Sequence, residues 1–378
     1  MNERVEGAKE RLKIAVDCYE VTQELTGVGR VIHNILLSLC REEDEYEFLA
    51  FSRQKVEDYS KYRNIKQYVL PGDKGYFRWQ NGPFYQGIKE CHPDLLIAPN
   101  YTLPLFVGTK SILFEHDVSF ASHPEWFPKK EGWKRKYFVK RSLGKASLIM
   151  TLSEASKQEI IRHYSVSPKK IKVLYLGAGR NFKPAGDTEV SRWKEKKGIK
   201  GRRIIGFLGS IFNRRNVPLL VEAVRHLRKE FPEVMLYIVG KDMTYPPQNM
   251  RRILNEDWIL WEESIQESEL PLYFSALDAF AYLSEYEGFG LPPLEALSCG
   301  TVPILLNKSA LAEVYSEFSL MAENEDAGEI RSHLRSALED LDRMDILLRA
   351  FNKRRTYFSW NRVAGEFSDA MNEVLCGK

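Results

Sequence analysis

Short apolar runs of strand length alternate along the chain with stretches whose apolar residues recur at helical spacing. The pattern predicts strands over residues 12–17, 45–51, 67–70, 94–98, 111–117, 147–153 and 171–175, with a helix over 31–39 and another opening at Ser153 as its N-cap. A glycine- and proline-punctuated segment without periodicity, 177–184, interrupts the series and reads as a hinge between domains. The alternation then restarts, with strands over 203–208, 234–240, 258–261, 278–284 and 301–306 and helices over 218–229, 264–276 and 326–350. Strand, helix and strand in succession form a βαβ unit with parallel strands, so the expected fold is α/β, with two doubly wound, Rossmann-like domains. The expected division is 1–178, 185–355 and a terminal helical segment, 356–378.

Composition changes this picture little. At 378 residues, 44% hydrophobic and 28% charged, the chain exceeds one ordinary domain and can bury sizeable cores. Residues 1–11 are charged and lack the apolar centre of a signal peptide, and no run of 18 apolar residues occurs, which predicts a protein neither secreted by that route nor membrane-spanning. Five scattered cysteines without a C-x-x-C pair predict a reduced, cytoplasmic setting.

Charge adds one detail. The net charge of +3 is uneven: residues 1–180 hold 29 Lys and Arg against 22 Asp and Glu, the remainder 26 against 30, so the front half is mildly basic. That imbalance suits phosphate or anionic lipid and is too weak to predict a nucleic-acid partner. Much of it lies in 127–146, where Lys129, Lys130, Lys134, Arg135, Lys136, Lys140, Arg141 and Lys145 interleave with Trp133, Tyr137, Phe138 and Leu143. Two readings fit: a surface helix with its aromatics turned inward, or an interfacial helix over 129–145 making peripheral contact with the inner face of a membrane. Residues 72–87, with Tyr76, Phe77, Trp79, Phe84 and Tyr85, are likewise either a flexible binding loop or core packing beneath a helix.

The candidate chemistry centres on Ser284 to Gly300, where Glu287 and Glu295 stand with seven residues between them around a helix start. Pro292 and Pro293 suit the first turn and Gly300 the C′ position, giving a helix of about two turns. Glu287 then lies on the loop leaving a parallel strand and Glu295 at the start of the next helix, on the side of the sheet where α/β proteins bind ligands. Gly288 and Gly290 carry no Cβ, which lets backbone amides approach a ligand, and the helix N-terminus behind them favours an anion. Two acceptor-only carboxylates beside an anion pocket fit a polyol joined to a phosphate, such as a nucleotide sugar.

Other residues fall at strand ends on the same side. Gly27 and Gly29 precede Arg30 after the first strand, His116 and Asp117 follow the fifth, and Arg214 and Arg215 follow the first strand of the second series. A guanidinium pair can hold a diphosphate bidentately, and an imidazole oriented by a neighbouring carboxylate can bond a sugar hydroxyl. No second histidine stands at ligand spacing to His116, so no metal site is predicted.

The run Glu-Gly-Phe-Gly-Leu-Pro-x-Leu-Glu-Ala, followed by Cys-Gly-Thr, resembles the E-x7-E signature of retaining, nucleotide-sugar-dependent glycosyltransferases of the family-4 type, which have the GT-B fold. The resemblance extends to Thr26–Arg30 facing the acceptor side, to the His116–Asp117 pair, to the Ser153–Lys157 element and to Gly209–Asn216, and it implies that the last segment crosses back to the first domain. It implies catalytic roles for His116, Glu287 and Arg215, and donor contacts from Arg214, Gly288, Phe289, Gly290, Leu291 and Glu295. Gly27, Gly29 and Asp117 fall on the acceptor side. Ser210 departs from the family pattern, which carries an arginine or threonine there, and Arg215 replaces a lysine, so one of two cationic diphosphate contacts is expected to be missing unless Arg214 compensates.

The implied reaction moves a hexosyl group, mannosyl by preference, from a nucleotide diphosphate sugar to a sugar, polysaccharide or lipid-linked acceptor, with no metal or other cofactor. Two glutamates on one βα element line one side of the donor, which argues against double displacement by carboxylates flanking the anomeric carbon. The alternatives are a sugar-nucleotide epimerase of the same fold and a non-catalytic sugar-nucleotide-binding scaffold.

Overall fold

The computed structural model describes residues 11–22, 27–42, 45–72 and 75–377. The charged leader 1–10 and Thr26 lie outside the described residues. Seven strands form the first sheet: β1 Leu12–Asp17, β2 Tyr46–Ser52, β3 Ile65–Val69, β4 Leu95–Ala98, β5 Ser111–Phe114, β6 Leu148–Thr151 and β7 Ile171–Val173. Six form the second: β8 Arg203–Leu208, β9 Val234–Val239, β10 Ile259–Glu262, β11 Ala279–Tyr282, β12 Pro303–Leu306 and β13 Leu320–Ala322. Every pairing is parallel, in the orders β3-β2-β1-β4-β5-β6-β7 and β10-β9-β8-β11-β12-β13. Strand order reverses between β1 and β4 in one sheet and between β8 and β11 in the other, the two places where such sheets open a crevice. Central strands such as β4, β5, β11 and β12 are buried at every position, as parallel strands covered on both faces must be.

The first helix, Gly27–Glu42, begins a turn earlier than its apolar periodicity, because that turn faces a cavity rather than the core. Residues 76–91 are helical throughout, with Trp79 and Phe84 buried and stacked at 4.9 Å; the flexible-loop reading is therefore corrected. The expected helix over 326–350 is two, Ala327–Glu339 and Leu341–Arg354, because Asp340 leaves helical geometry and its side chain caps the second. The basic helix Lys129–Lys145 buries Gly132, Val139, Ser142 and Leu143, half-buries Phe138 against Phe77 and leaves Trp133 70% and Tyr137 57% exposed, so two of its three aromatics point outward, which corrects the inward reading.

The chain returns to the first sheet at its end. Ala178 pairs with Ser359, and a Cβ on Gly177 would stand 2.5 Å from the Trp360 nitrogen, so the two crossing strands touch backbone to backbone. The helix Trp360–Cys376 then lies against Gly27–Glu42, burying Trp360, Val363, Ala364, Phe367, Ala370 and Met371 on one helical face. Tyr46, the first residue of β2, donates to Asn372 of the same terminal helix at 2.7 Å. Among the described residues no helix is long and apolar enough to cross a membrane.

Candidate active site

The C-terminal ends of strands from both sheets open onto one cavity of about 480 Å³. The run Glu287 to Pro292 and Glu295 line it from the second sheet, and Gly27, Arg30, His116 and Asp117 from the first.

Glu287 is set by the strand before it. Tyr282, the last residue of β11, Ser284 and Arg215 Nε all donate to its Oε1 at 2.9 Å. Arg215 also donates to the Ser210 carbonyl at 2.8 Å. Burial pushes the Glu287 pKa up, but Arg215 and then Arg214 pull it further down, so it lies below the ordinary carboxylate value. The same pairing raises Arg215 against the effect of its own burial.

Glu295 sits in the helix Leu291–Ser298, 1% exposed. Its Oε1 accepts from Arg30 Nη1 at 2.7 Å, while Oε2 is buried without a hydrogen-bond partner. Burial dominates here and raises its pKa, with Arg30 opposing.

The two glycines of the motif are explained by protein contacts rather than by the approach of a ligand. A Cβ on Gly288 would lie 2.1 Å from the His116 carbonyl oxygen, so the loop from one sheet packs directly on the backbone of the other. Gly290 has φ +88°, and a Cβ there would meet Leu311 at 2.7 Å, while its carbonyl accepts from Tyr315 at 2.6 Å. Phe289 and Leu291 also line the cavity.

His116 is 6% exposed and its Nε2 donates to the Pro99 carbonyl at 2.8 Å. Burial lowers its pKa, so the ring is neutral and offers Nδ1 as an acceptor. The carbonyl, not Asp117, fixes the tautomer: Asp117 accepts from Ser119 N at 2.8 Å and from Tyr101 at 3.5 Å. Glu115, the third member of that charged triplet, turns into the interior, where burial pushes its pKa well above the usual range. Among the described residues no group of three or more His, Cys, Asp or Glu side chains is gathered to hold a metal.

Two expected contacts fall elsewhere. Arg214 does not line the cavity; its guanidinium lies over Phe212 at 4.4 Å and Trp126 at 5.8 Å, where aromatic faces hold it. Gly29 is buried inside the first turn of its helix and does not line the cavity, whereas Gly27 does. Sequence reading missed Lys241, which lines the cavity directly after β9; its position at a strand end was the available signal. It also missed Glu313, whose two oxygens accept from the backbone nitrogens of Glu154 at 2.8 Å and Ala155 at 2.7 Å. That carboxylate from the second half caps a helix of the first.

Residues 25–178 match the family described as Glycosyltransferase Family 4, and residues 189–354 match Glycosyl transferases group 1. The O-antigen chain mannosyltransferase B of Escherichia coli is 29% identical over 267 residues, covering 70% of each chain. The serotype-specific mannosyltransferase WbdA of Escherichia coli is 23% identical over 272 residues, 68% of this chain but only 32% of that longer protein. Among solved structures, Anabaena Alr3699/HepE in complex with UDP-glucose superposes with a TM-score of 0.77 at 16% identity, covering 96% of this chain and all of that one.

Proposed function

From the premise that this chain belongs to the family-4-type glycosyltransferases, with the GT-B fold, we propose that it is a retaining, metal-independent mannosyltransferase. It transfers from a nucleotide diphosphate mannose to a sugar, polysaccharide or lipid-linked acceptor. The observation that carries the mannosyl reading is the naming of two relatives, matched over 70% and 68% of this chain, as mannosyltransferases. In this reading Glu287 Oε2 anchors a hydroxyl of the transferred sugar and Glu295 Oε2 a hydroxyl of the ribose. The diphosphate lies by Arg215, Lys241 and the start of the Leu291–Ser298 helix, which together stabilise the charge that builds on the leaving phosphate. Lys241 takes over from the arginine missing at Ser210. His116 accepts from the sugar through Nδ1. The acceptor hydroxyl enters on the face from which the phosphate leaves and passes its proton to that phosphate, so the C–O bond to phosphate breaks as the new glycosidic bond forms on the same side.

A panel of GDP-mannose, UDP-glucose and UDP-N-acetylglucosamine tests the donor. GDP-mannose is expected to raise the unfolding midpoint most, since a ligand bound only by the folded state stabilises it by mass action, and to give acceptor-dependent release of GDP. Release from a UDP-sugar alone would overturn the mannosyl reading.

The acceptor side supports a lipid-linked substrate. Trp133 and Tyr137 stack at 6.0 Å on the exposed face of the basic helix, and Phe106, 77% exposed, and Phe77, 47% exposed, extend the apolar surface. Exposed aromatics ringed by lysines are the composition of a surface that seats at an anionic membrane interface. Trp133→Ser with Tyr137→Ser is expected to weaken binding to phosphatidylglycerol vesicles roughly tenfold and to leave turnover of a water-soluble acceptor unchanged. Equal binding by the variant would remove the membrane contact, and equal wild-type binding to phosphatidylcholine vesicles would remove its dependence on anionic lipid.

A further inference from the structure

Glu295 is the one proposed donor contact whose charge is balanced from the other half of the molecule. Arg30 stands in the first turn of the helix Gly27–Glu42, which packs on the first sheet, and its Nη1 donates to Glu295 Oε1 at 2.7 Å over a sequence separation of 265 residues. The second oxygen of Glu295 is buried without a partner in the cavity wall, and Arg30 Nε, 3.6 Å from Glu267, is likewise without a hydrogen bond. A carboxylate buried this far from water either finds a counter-charge or takes up a proton. Within the second half alone, its charged neighbour is another carboxylate, Glu267, with the Tyr315 hydroxyl and the Cys299 thiol also close.

We propose that Arg30 is a donor-positioning residue: held on Glu295 Oε1, it keeps that carboxylate ionised and turned so that Oε2 accepts a ribose hydroxyl. The donor's ribose site is thus finished only when the two halves meet as they do here. The proposal rests on Glu295 binding the donor's ribose, and it adds a cation from the acceptor side as a condition of that binding. It also gives Arg30 a task separate from the diphosphate, which lies by Arg215 and Lys241.

The test uses the full chain and four probes: GDP, UDP and their 2′-deoxy analogues, titrated by calorimetry. Whichever ribonucleotide binds the wild type is expected to bind more tightly than its deoxy form. Arg30→Met is expected to weaken the ribonucleotide by about tenfold to a hundredfold, to erase the preference over the deoxy form, and to move the acid loss of binding to higher pH, because Glu295 then protonates more readily. Arg30→Lys restores a cation and is expected to recover part of the pH shift. Arg30→Met added to Glu295→Gln should cost little beyond Glu295→Gln alone. Unchanged ribose preference and pH profile in Arg30→Met, with Glu295→Gln impaired, would overturn the role of Arg30 and leave the donor site standing. Unimpaired binding in Glu295→Gln, or no binding of either nucleotide by the wild type, would overturn the donor site itself. Unfolding midpoints of all variants separate these outcomes from loss of fold.

Discussion

Glu287→Gln is expected to lower turnover by about a hundredfold or more, with donor binding weakened less than kcat. The substitution keeps the shape, so Tyr282 and Ser284 still find an oxygen, but it removes the counter-charge of Arg215 where both side chains are 12% exposed. An arginine left unbalanced in such a place costs about 3–5 kcal/mol when a buried pair is broken from one side. The guanidinium then drifts from the position in which it meets the leaving phosphate. Arg215→Ala removes the other member and is expected to lose a similar factor. Steady-state nucleotide release, read beside the unfolding midpoint, checks both; turnover within a few-fold of wild type in either would take the pair out of the chemistry.

The pH dependence separates the two glutamates. The Glu287 pKa lies below the ordinary 4.5, so its pairing with Arg215 stabilises the fold fully above that value and is lost as pH falls through the lower, folded-state value. Glu295 is displaced the other way by burial, and it protonates first as the medium is acidified. The acid limb of donor binding is therefore expected to follow Glu295, and to move to higher pH in Arg30→Met, as calorimetric titration across pH would show.

The second large effect is at Gly288. Alanine there is expected to lower kcat/KM about a hundredfold, the loss that a displacement of about 1 Å in a reacting geometry produces, with little change in the unfolding midpoint. The added methyl would be 2.1 Å from the His116 carbonyl oxygen and 3.0 Å from its carbon, both backbone, so no side chain can yield to it. Either the loop or the whole half must move, and with it Glu287, which is adjacent in sequence. The contacts alongside tie the same halves together: Val118 N donates to Tyr286 at 3.4 Å, and Glu313 caps its helix. Wild-type activity in Gly288→Ala would mean that the catalytic arrangement keeps the halves further apart than they stand here.

Local patterns carried much of the architecture. The boundaries 12–17 and 203–208 coincide with β1 and β8, because an apolar run bounded by charge or glycine has one satisfactory structure when both its faces are covered. The two-turn helix after Gly290 was legible from its prolines and from Gly300, since their backbone restrictions act residue by residue. Less visible was β13, three residues whose identity as a strand depends on β12 lying beside it. The break at Asp340 was missed because a capping aspartate and a surface aspartate look alike in sequence.

For the site, chain order already places the residues that leave the strand ends: Glu287, Glu295, His116 and Arg215 all line the cavity, because a parallel sheet puts every such loop on one side. What each of them faces follows from packing between distant elements. Arg214 and Arg215 are neighbours in the chain, yet one lies on Phe212 and Trp126 and the other on Glu287. Gly288 owes its missing side chain to a carbonyl 172 residues earlier, and Arg30 meets Glu295 from the opposite half. Patterns along a chain report which face of an element is covered, whereas the partner of a buried charge is set by packing between elements far apart in sequence, on which local periodicity carries no information.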